Sequence, residues 1–275
     1  VSEPTNKEMI REGTAVSIDE ACLSTKIYMG HIKSLIGKCD YILIPRISNF
    51  GIKRNMCTKF EALYDIACNV FRKSGQKFLS YNVDELQSVT EEKAFISMGE
   101  ELGFTKKEAS AATRFFPISF KGLGSDKAAK KAEGDYLKNQ VKSQDLLFKK
   151  SGLKILIASH SYVEMDAYIG KPVTNYLKKM GVIPLYADIV DRRDAIRQSI
   201  KISPTLKWEF SKEIVGGVQL YKDKIDGIIL LSAFPCGPDS MVNEMIIRRF
   251  RGIPILNIVL DDQDGTAGLE TRLES

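Results

Sequence analysis

The chain has 275 residues, 44% of them hydrophobic and 27% charged, and carries a formal net charge of +5. Those proportions describe a globular protein of one large or two smaller domains, and they exclude a fibrous, collagen-like or disordered chain. The positive excess is modest, and Lys127, Lys130, Lys131, Lys138 and Lys142 are spaced as a solvated helix face, so no nucleic-acid partner is expected. No apolar run reaches the roughly 20 residues of a membrane span, and no signal peptide opens the chain. Five cysteines are an odd, sparse set, which predicts reduced thiols and a cytoplasmic location. Val1-Ser2-Glu3-Pro4 reads as the tail of a strand, and Glu274-Ser275 stops inside a polar helix pattern, so a fragment of a longer protein is expected.

In chain order, Asn6 to Glu12 predicts a short helix. Cys22 to Gly37 predicts a second, with Ile27, His31, Leu35 and Ile36 on neighbouring turns. Asp40 to Arg46 is a short apolar run closed by Pro45, which reads as a buried parallel strand followed by a loop from Ile47 to Asn55. Thr58 to Ser74 is helical after Cys57, and Lys77 to Val83 is another strand. The strand signal then lapses. Glu91 to Leu102, Lys106 to Phe116 and Asp126 to Lys149 read as helices, punctuated by Gly103, Pro117 and the Gly122–Gly124 turn.

Alternation resumes with the strand Lys154 to Ala158, which ends at Ser159-His160-Ser161. A helix from Gly170 to Met180 closes on Gly181 as a C-cap, with Pro172 suited to a first helical turn. Val182 to Tyr186 is a strand, Lys207 to Lys222 a helix, and Asp226 to Ser232 a strong strand that delivers Phe234-Pro235-Cys236. Met241 to Phe250 is a helix, and Pro254 to Leu260 a final strand ending in Asp261-Asp262. Strands alternating with helices imply parallel sheets with right-handed crossovers. The expected fold class is therefore α/β: two Rossmann-like parallel-sheet domains with a helical insertion, divided as 1–88, 89–151 and 152–275.

In such sheets ligands bind outside the carboxyl ends of the strands. Cys57, His160, Asp188, Cys236 and Asp261 are expected there, with Cys22 heading a helix on the same side, around a cleft between the two halves. Helix starts favour thiolate over thiol, and three convergent thiolates with one open position suit an iron–sulfur cluster. The alternative is that these cysteines are buried or incidental, as expected for Cys39 and Cys68. His31 is a core histidine or a donor near the cluster, and His160 a core residue or an acid–base candidate. Arg46 and Lys59, which flank Cys57, would hold an anionic thioester or cap a helix. Asp261-Asp262 reads as a turn or cap before a metal site. Gly170-Lys171-Pro172 lacks the spacing of a phosphate loop, and no ATP site is found.

Several segments together carry a family resemblance: Cys22-x-x-x-Lys26 with Gly30-His31, Cys39 to Arg46, Cys57 to Leu63, Tyr168 to Pro172, Leu185 to Asp188, Phe234 to Asp239, and Thr266 to Arg272. The chain resembles the acyl-CoA dehydratase activase-related family, relatives of the small subunit of 2-hydroxyacyl-CoA dehydratases and of benzoyl-CoA reductase and double-cubane-cluster proteins. The resemblance implies a four-iron, four-sulfur (4Fe-4S) cluster on Cys22, Cys57 and Cys236, oxygen-labile and suited to anaerobic chemistry, with one iron open. It implies an ATP-dependent activase as donor of a low-potential electron, a second cluster-bearing subunit as a partner, and an acyl-CoA whose thioester carbonyl is reduced. Lys171 and Arg248 would meet its phosphates, with His160 and Arg46 as catalytic candidates. The enzyme class implied is a lyase of the 2-hydroxyacyl-CoA dehydratase kind or its activator component; the alternative is a non-catalytic relay or docking domain of a larger activase-related protein. The chain departs from the family's pattern at Ser24, where proline is usual, and lacks a strand–helix unit that usually precedes it.

Overall fold

The structure is a computed structural model that describes residues 1–115, 127–262 and 267–274. Pro117, the Gly122–Gly124 turn, Asp126 and Thr266 lie outside the described residues, as do the side chains of Lys127, Lys130 and Lys131. The described residues form a mixed α/β protein with thirteen α-helices and eight strands, and every strand pair is parallel. The chain divides into two compact units. One holds Val1–Leu35, Val141–Leu206 and Phe210–Ser275; the other holds Ile36–Gln140 and Lys207–Glu209.

The chain opens with α1 (Lys7–Ala15) and α2 (Leu23–Leu35). Asn6 caps α1 by accepting a hydrogen bond from the Met9 N–H at 3.0 Å. The two helices pack backbone to backbone at a pair of glycines. A Cβ added to Gly13 would lie 1.9 Å from the Lys26 carbonyl oxygen, and one on Gly30 2.0 Å from that of Met9.

The strand-pair unit follows: β1 (Tyr41–Leu43), β2 (Arg46–Asn49), α3 (Thr58–Glu61), α4 (Leu63–Val70), β3 (Lys77–Leu79), β4 (Asn82–Asp84), α5 (Glu91–Glu101) and α6 (Lys106–Phe115). β1 pairs with β3, and β2 with β4. The two short ladders lie in one register on either side of Pro45, whose missing N–H falls on the side away from the partner strand. Ile44 N–H still reaches the Leu79 carbonyl at 2.8 Å and Arg46 N–H that of Tyr81 at 2.9 Å. The expected loop from Ile47 therefore begins as strand. A Rossmann-like sheet is not found among the described residues of this half, which contribute a strand pair with helices. The single expected helix from Thr58 to Ser74 is divided at Ala62.

Next, α7 (Lys127–Phe148) precedes the four-stranded sheet. The sheet's unit contains β5 (Lys154–Ala158), α8 (Ser161–Glu164), α9 (Lys171–Lys179), β6 (Ile183–Tyr186), α10 (Arg192–Ile202), α11 (Glu209–Tyr221), β7 (Gly227–Ala233), α12 (Gly237–Arg249), β8 (Ile255–Leu260) and α13 (Ala267–Glu274). Strand order is β6-β5-β7-β8. All seven residues of β7 are buried, as a central parallel strand covered on both faces requires. Ile157, Val163, Val173, Leu177, Ile229, Leu231 and Ile258 form the core, and Ile10, Leu23 and Ile27 of the amino-terminal helices pack into it. Gly181 takes φ +78° after α9, a left-handed turn that glycine enters without strain.

Candidate functional site

In the order β6-β5-β7-β8 the chain leaves β5 toward one side for β6 and then crosses to the other side for β7. The reversal falls between β5 and β7, and crevices at such reversals are where open α/β sheets bind ligands. His160 follows the carboxyl end of β5, and Cys236 follows that of β7. A hydrogen bond spans the crevice: His160 Nε2 lies 2.8 Å from Oδ1 of Asp239, three residues into α12. Both side chains are buried. The His160 ring is stacked on Tyr162, with centroids 5.0 Å apart and planes 10° off parallel, and the edge of Phe210 closes another side at 6.2 Å.

Cys22 joins this crevice through the backbone. The Leu23 N–H donates to the Phe234 carbonyl at 2.8 Å, which ties the start of α2 to the turn before Cys236. That turn contains a cis Phe234–Pro235 peptide. The Cys22 carbonyl accepts the N–H groups of Thr25 and Lys26 at 2.9 and 3.0 Å, and its sulfur lies 3.2 Å from the Thr25 hydroxyl. Cys236 is the N-cap residue of α12, and its sulfur faces the Asp239 backbone N–H and carboxylate. Burial pushes the Cys236 thiol well above the usual range; the Asp239 carboxylate adds to this, and Cys22 contributes further. Asp239 itself is held below the usual carboxylate range against its own burial, chiefly by His160.

The remaining expected residues divide clearly. Cys57 is the N-cap residue of α3, in the strand-pair unit. Its approach is fixed by Asn55, which donates to the Lys207 carbonyl at 3.1 Å and accepts from the Glu209 N–H at 3.0 Å. An ion pair from Arg54 to the buried Glu209 at 3.0 Å reinforces that attachment. Arg46 is committed within the same unit: it pairs with Asp65 and donates to the Glu61 carbonyl at 2.8 Å. Cys39 is exposed in the turn before β1, which corrects the expectation of a small buried hydrophobe; Cys68 is half-buried inside α4.

His31 stands close to Thr5, whose hydroxyl lies 2.9 Å from His31 Nε2 and donates to Asp166. Asp261 and Asp262 follow β8, the Asp262 N–H donates to the Asp261 carboxylate at 2.6 Å, and Asp262 is bonded to buried Lys26 at 3.1 Å and to the Thr14 hydroxyl at 3.1 Å. Lys171 and Arg248 are exposed, and Arg248 pairs with Glu244. Among the described residues no group of three or more His, Cys, Asp or Glu side chains is assembled to hold a metal ion.

Two features were not singled out from sequence. Asp239 lies within the Phe234 to Asp239 motif, but its bond to a histidine 79 residues away has no local signal. Glu164, almost fully buried on α8, lies against Asp188 beyond the end of β6. The alternation pattern that placed Asp188 at a strand end gave no sign of this acid partner.

The fold and crevice define a parallel α/β protein with a thiol pair and a buried histidine–aspartate pair at the switch point of its larger sheet. Residues 1–190 match the CoA enzyme activase uncharacterised domain (DUF2229). The chain belongs to that family, in agreement with the activase-related resemblance of its motifs. No curated protein matches the chain. No helix among the described residues is long and apolar enough to cross a membrane.

Proposed function

We propose that the chain is the 4Fe-4S cluster-bearing component of an ATP-activated CoA-enzyme system, with Cys22, Cys57 and Cys236 as the cluster's thiolate ligands. One observation carries the reading. Each of these cysteines immediately precedes a helix, α2, α3 and α12 in turn, whereas Cys39 sits in an exposed turn and Cys68 inside α4. Backbone N–H groups at helix starts stabilise anionic sulfur. The donor chemistry fits the group: two of the thiols neighbour one another at the sheet's switch point, where burial pushes the Cys236 thiol up and disfavours its thiolate. Cluster iron would supply the positive charge that converts it to thiolate. Convergence of Cys57 with the other two is part of the proposal.

When bound, the cluster would accept one low-potential electron and make it available to a thioester carbonyl. The chain's own residues would orient the sulfurs, exclude water and set the local charge. The partners proposed are an ATP-dependent activase, a second cluster-bearing subunit and an acyl-CoA, in the cytoplasm. Because Arg46 is committed to Asp65 and Glu61, His160 is the better placed of the two catalytic candidates.

The test is anaerobic reconstitution of the full chain with iron and sulfide, followed by iron analysis and EPR of the reduced protein. Serine at Cys22, Cys57 or Cys236 is expected to abolish cluster formation, and serine at Cys39 or Cys68 to leave it intact. Equal iron content in all five variants would remove the assignment.

A further inference from the structure

We propose that Asp239 is a positioning residue for Cys236, anchored by His160. In its iron-dependent arm this rests on the cluster reading; its geometric basis does not. Cys236 is the N-cap residue of α12, and the group that meets its sulfur at the helix start is Asp239, through both its backbone N–H and its carboxylate. Asp239 is the third residue of that helix. A side chain at this position reaches back over the N-cap residue, as in a capping box. Here the carboxylate is buried, lies against Cys236, and is fixed on its other side by His160 Nε2 at 2.8 Å.

The anchor is itself immobilised. His160 is held between Tyr162 and Phe210 and grows from the adjacent strand of the sheet, since β5 and β7 are hydrogen-bonded neighbours. The chain of contacts therefore runs from one strand end, through an aromatic-clamped imidazole and a buried carboxylate, to the sulfur at the next strand end. Cys22 is tied to the same turn by the Leu23 to Phe234 bond. A carboxylate in the first turn of a helix also favours the helix dipole, but that role needs neither burial nor a histidine from another strand.

Outer partners of metal ligands typically govern affinity by 10- to 100-fold. The experiment uses the full chain as parent, Asp239→Asn, His160→Gln and, as control, Glu244→Gln, an exposed acid on the same helix. In the first arm, reconstituted proteins are challenged with an iron chelator and their reduced EPR spectra recorded. Asp239→Asn and His160→Gln are expected to lose iron at least about tenfold faster than parent with altered g-values, and Glu244→Gln to match parent. In the second arm, apoproteins are titrated with Cd²⁺ alone, followed by sulfur-to-metal absorption, in a Cys57→Ser background that isolates the Cys22–Cys236 pair. Cd²⁺ affinity is expected to fall about 10- to 100-fold in both crevice variants while the apoprotein melting temperatures stay near that of their parent.

If the parent takes up no cluster but Asp239→Asn still weakens Cd²⁺ binding, the cluster reading falls and the positioning role stands. If iron retention, g-values and Cd²⁺ affinity are unchanged in both crevice variants, or if the parent thiol pair binds no Cd²⁺, the positioning role is overturned. A parallel loss of melting temperature and affinity in Asp239→Asn, with His160→Gln unchanged in both, would also overturn it, since that pattern is helix stability alone.

Discussion

Replacing Glu164 by glutamine makes the strongest use of the buried polar edge of the four-stranded sheet. Glu164 is 2% exposed, and burial, then the Asp188 carboxylate, push its carboxyl from 4.5 in an ordinary setting up to about 10. Between those two values the folded chain holds a proton on Glu164 that the unfolded chain has released. Stability must therefore fall as pH rises through this window, by up to about 1.4 kcal/mol per pH unit, and be unaffected by this group below its unfolded value. Glutamine keeps the size and does not titrate, so the advantage of Glu164→Gln over the parent should grow with pH. Between about pH 6 and pH 8 the growth is expected to be roughly 2 to 3 kcal/mol. Urea unfolding followed by the fluorescence of the single tryptophan, Trp208, measures it at each pH. Asp188→Asn should weaken the same dependence only in part, because burial is the larger cause of the Glu164 shift and the Asp188 carboxylate the smaller. A stability difference that does not change with pH would refute the reasoning.

Lys26→Met leaves the Asp262 carboxylate with Thr14 but without its cation at a site where both partners are nearly buried, and is expected to cost about 3 kcal/mol. The double variant with Asp262→Asn should recover part of that loss, which a thermal-denaturation cycle measures. Gly30→Ala places a methyl group 2.0 Å from the Met9 carbonyl oxygen, a backbone atom that cannot swing aside, so α1 and α2 must separate. A loss of about 3 kcal/mol or more is expected in urea unfolding, while Gly37→Ala, where the added Cβ meets nothing, should cost only the strain of its positive φ.

The second half of the fold was legible because its strands are buried on both faces. Gly227–Ala233 and Ile255–Leu260 are apolar runs that propensity and burial read alike. The first half was harder for a physical reason. Pro45 looks like the end of a strand, since it cannot donate to a ladder; the chain nevertheless stays extended and resumes pairing at Arg46. The grouping of α1 and α2 with the second half depends on Ile10, Leu23 and Ile27 packing into its core, on the bonds of Lys26 and Thr14 to Asp262, and on one backbone bond across more than two hundred residues, and no periodic pattern encodes these long-range partners. The helix Arg192–Ile202 did carry a readable start, Asp191 accepting from the Asp194 N–H at 3.0 Å, but its sparse apolar positions gave no face to follow.

The same contrast governs the site. His160 and Cys236 could be placed from sequence because each follows a strand, and strand ends in parallel sheets share one edge. Which strand ends are neighbours depends on strand order, and strand order is a long-range property. Only the order β6-β5-β7-β8 brings residue 160 beside residue 236 and puts both at the reversal of the chain path. Asp239 then acquires its position from two distances in sequence at once: three residues from the cysteine on one helix turn, and 79 from the histidine across the crevice. A buried carboxylate with a cationic or hydrogen-bonding partner on one side and a thiol on the other is costly to assemble. Its placement at the sheet's switch point, rather than elsewhere on α12, is what ties the polar cluster to the thiol pair and makes the sulfur of Cys236 the atom the surrounding structure is built to hold.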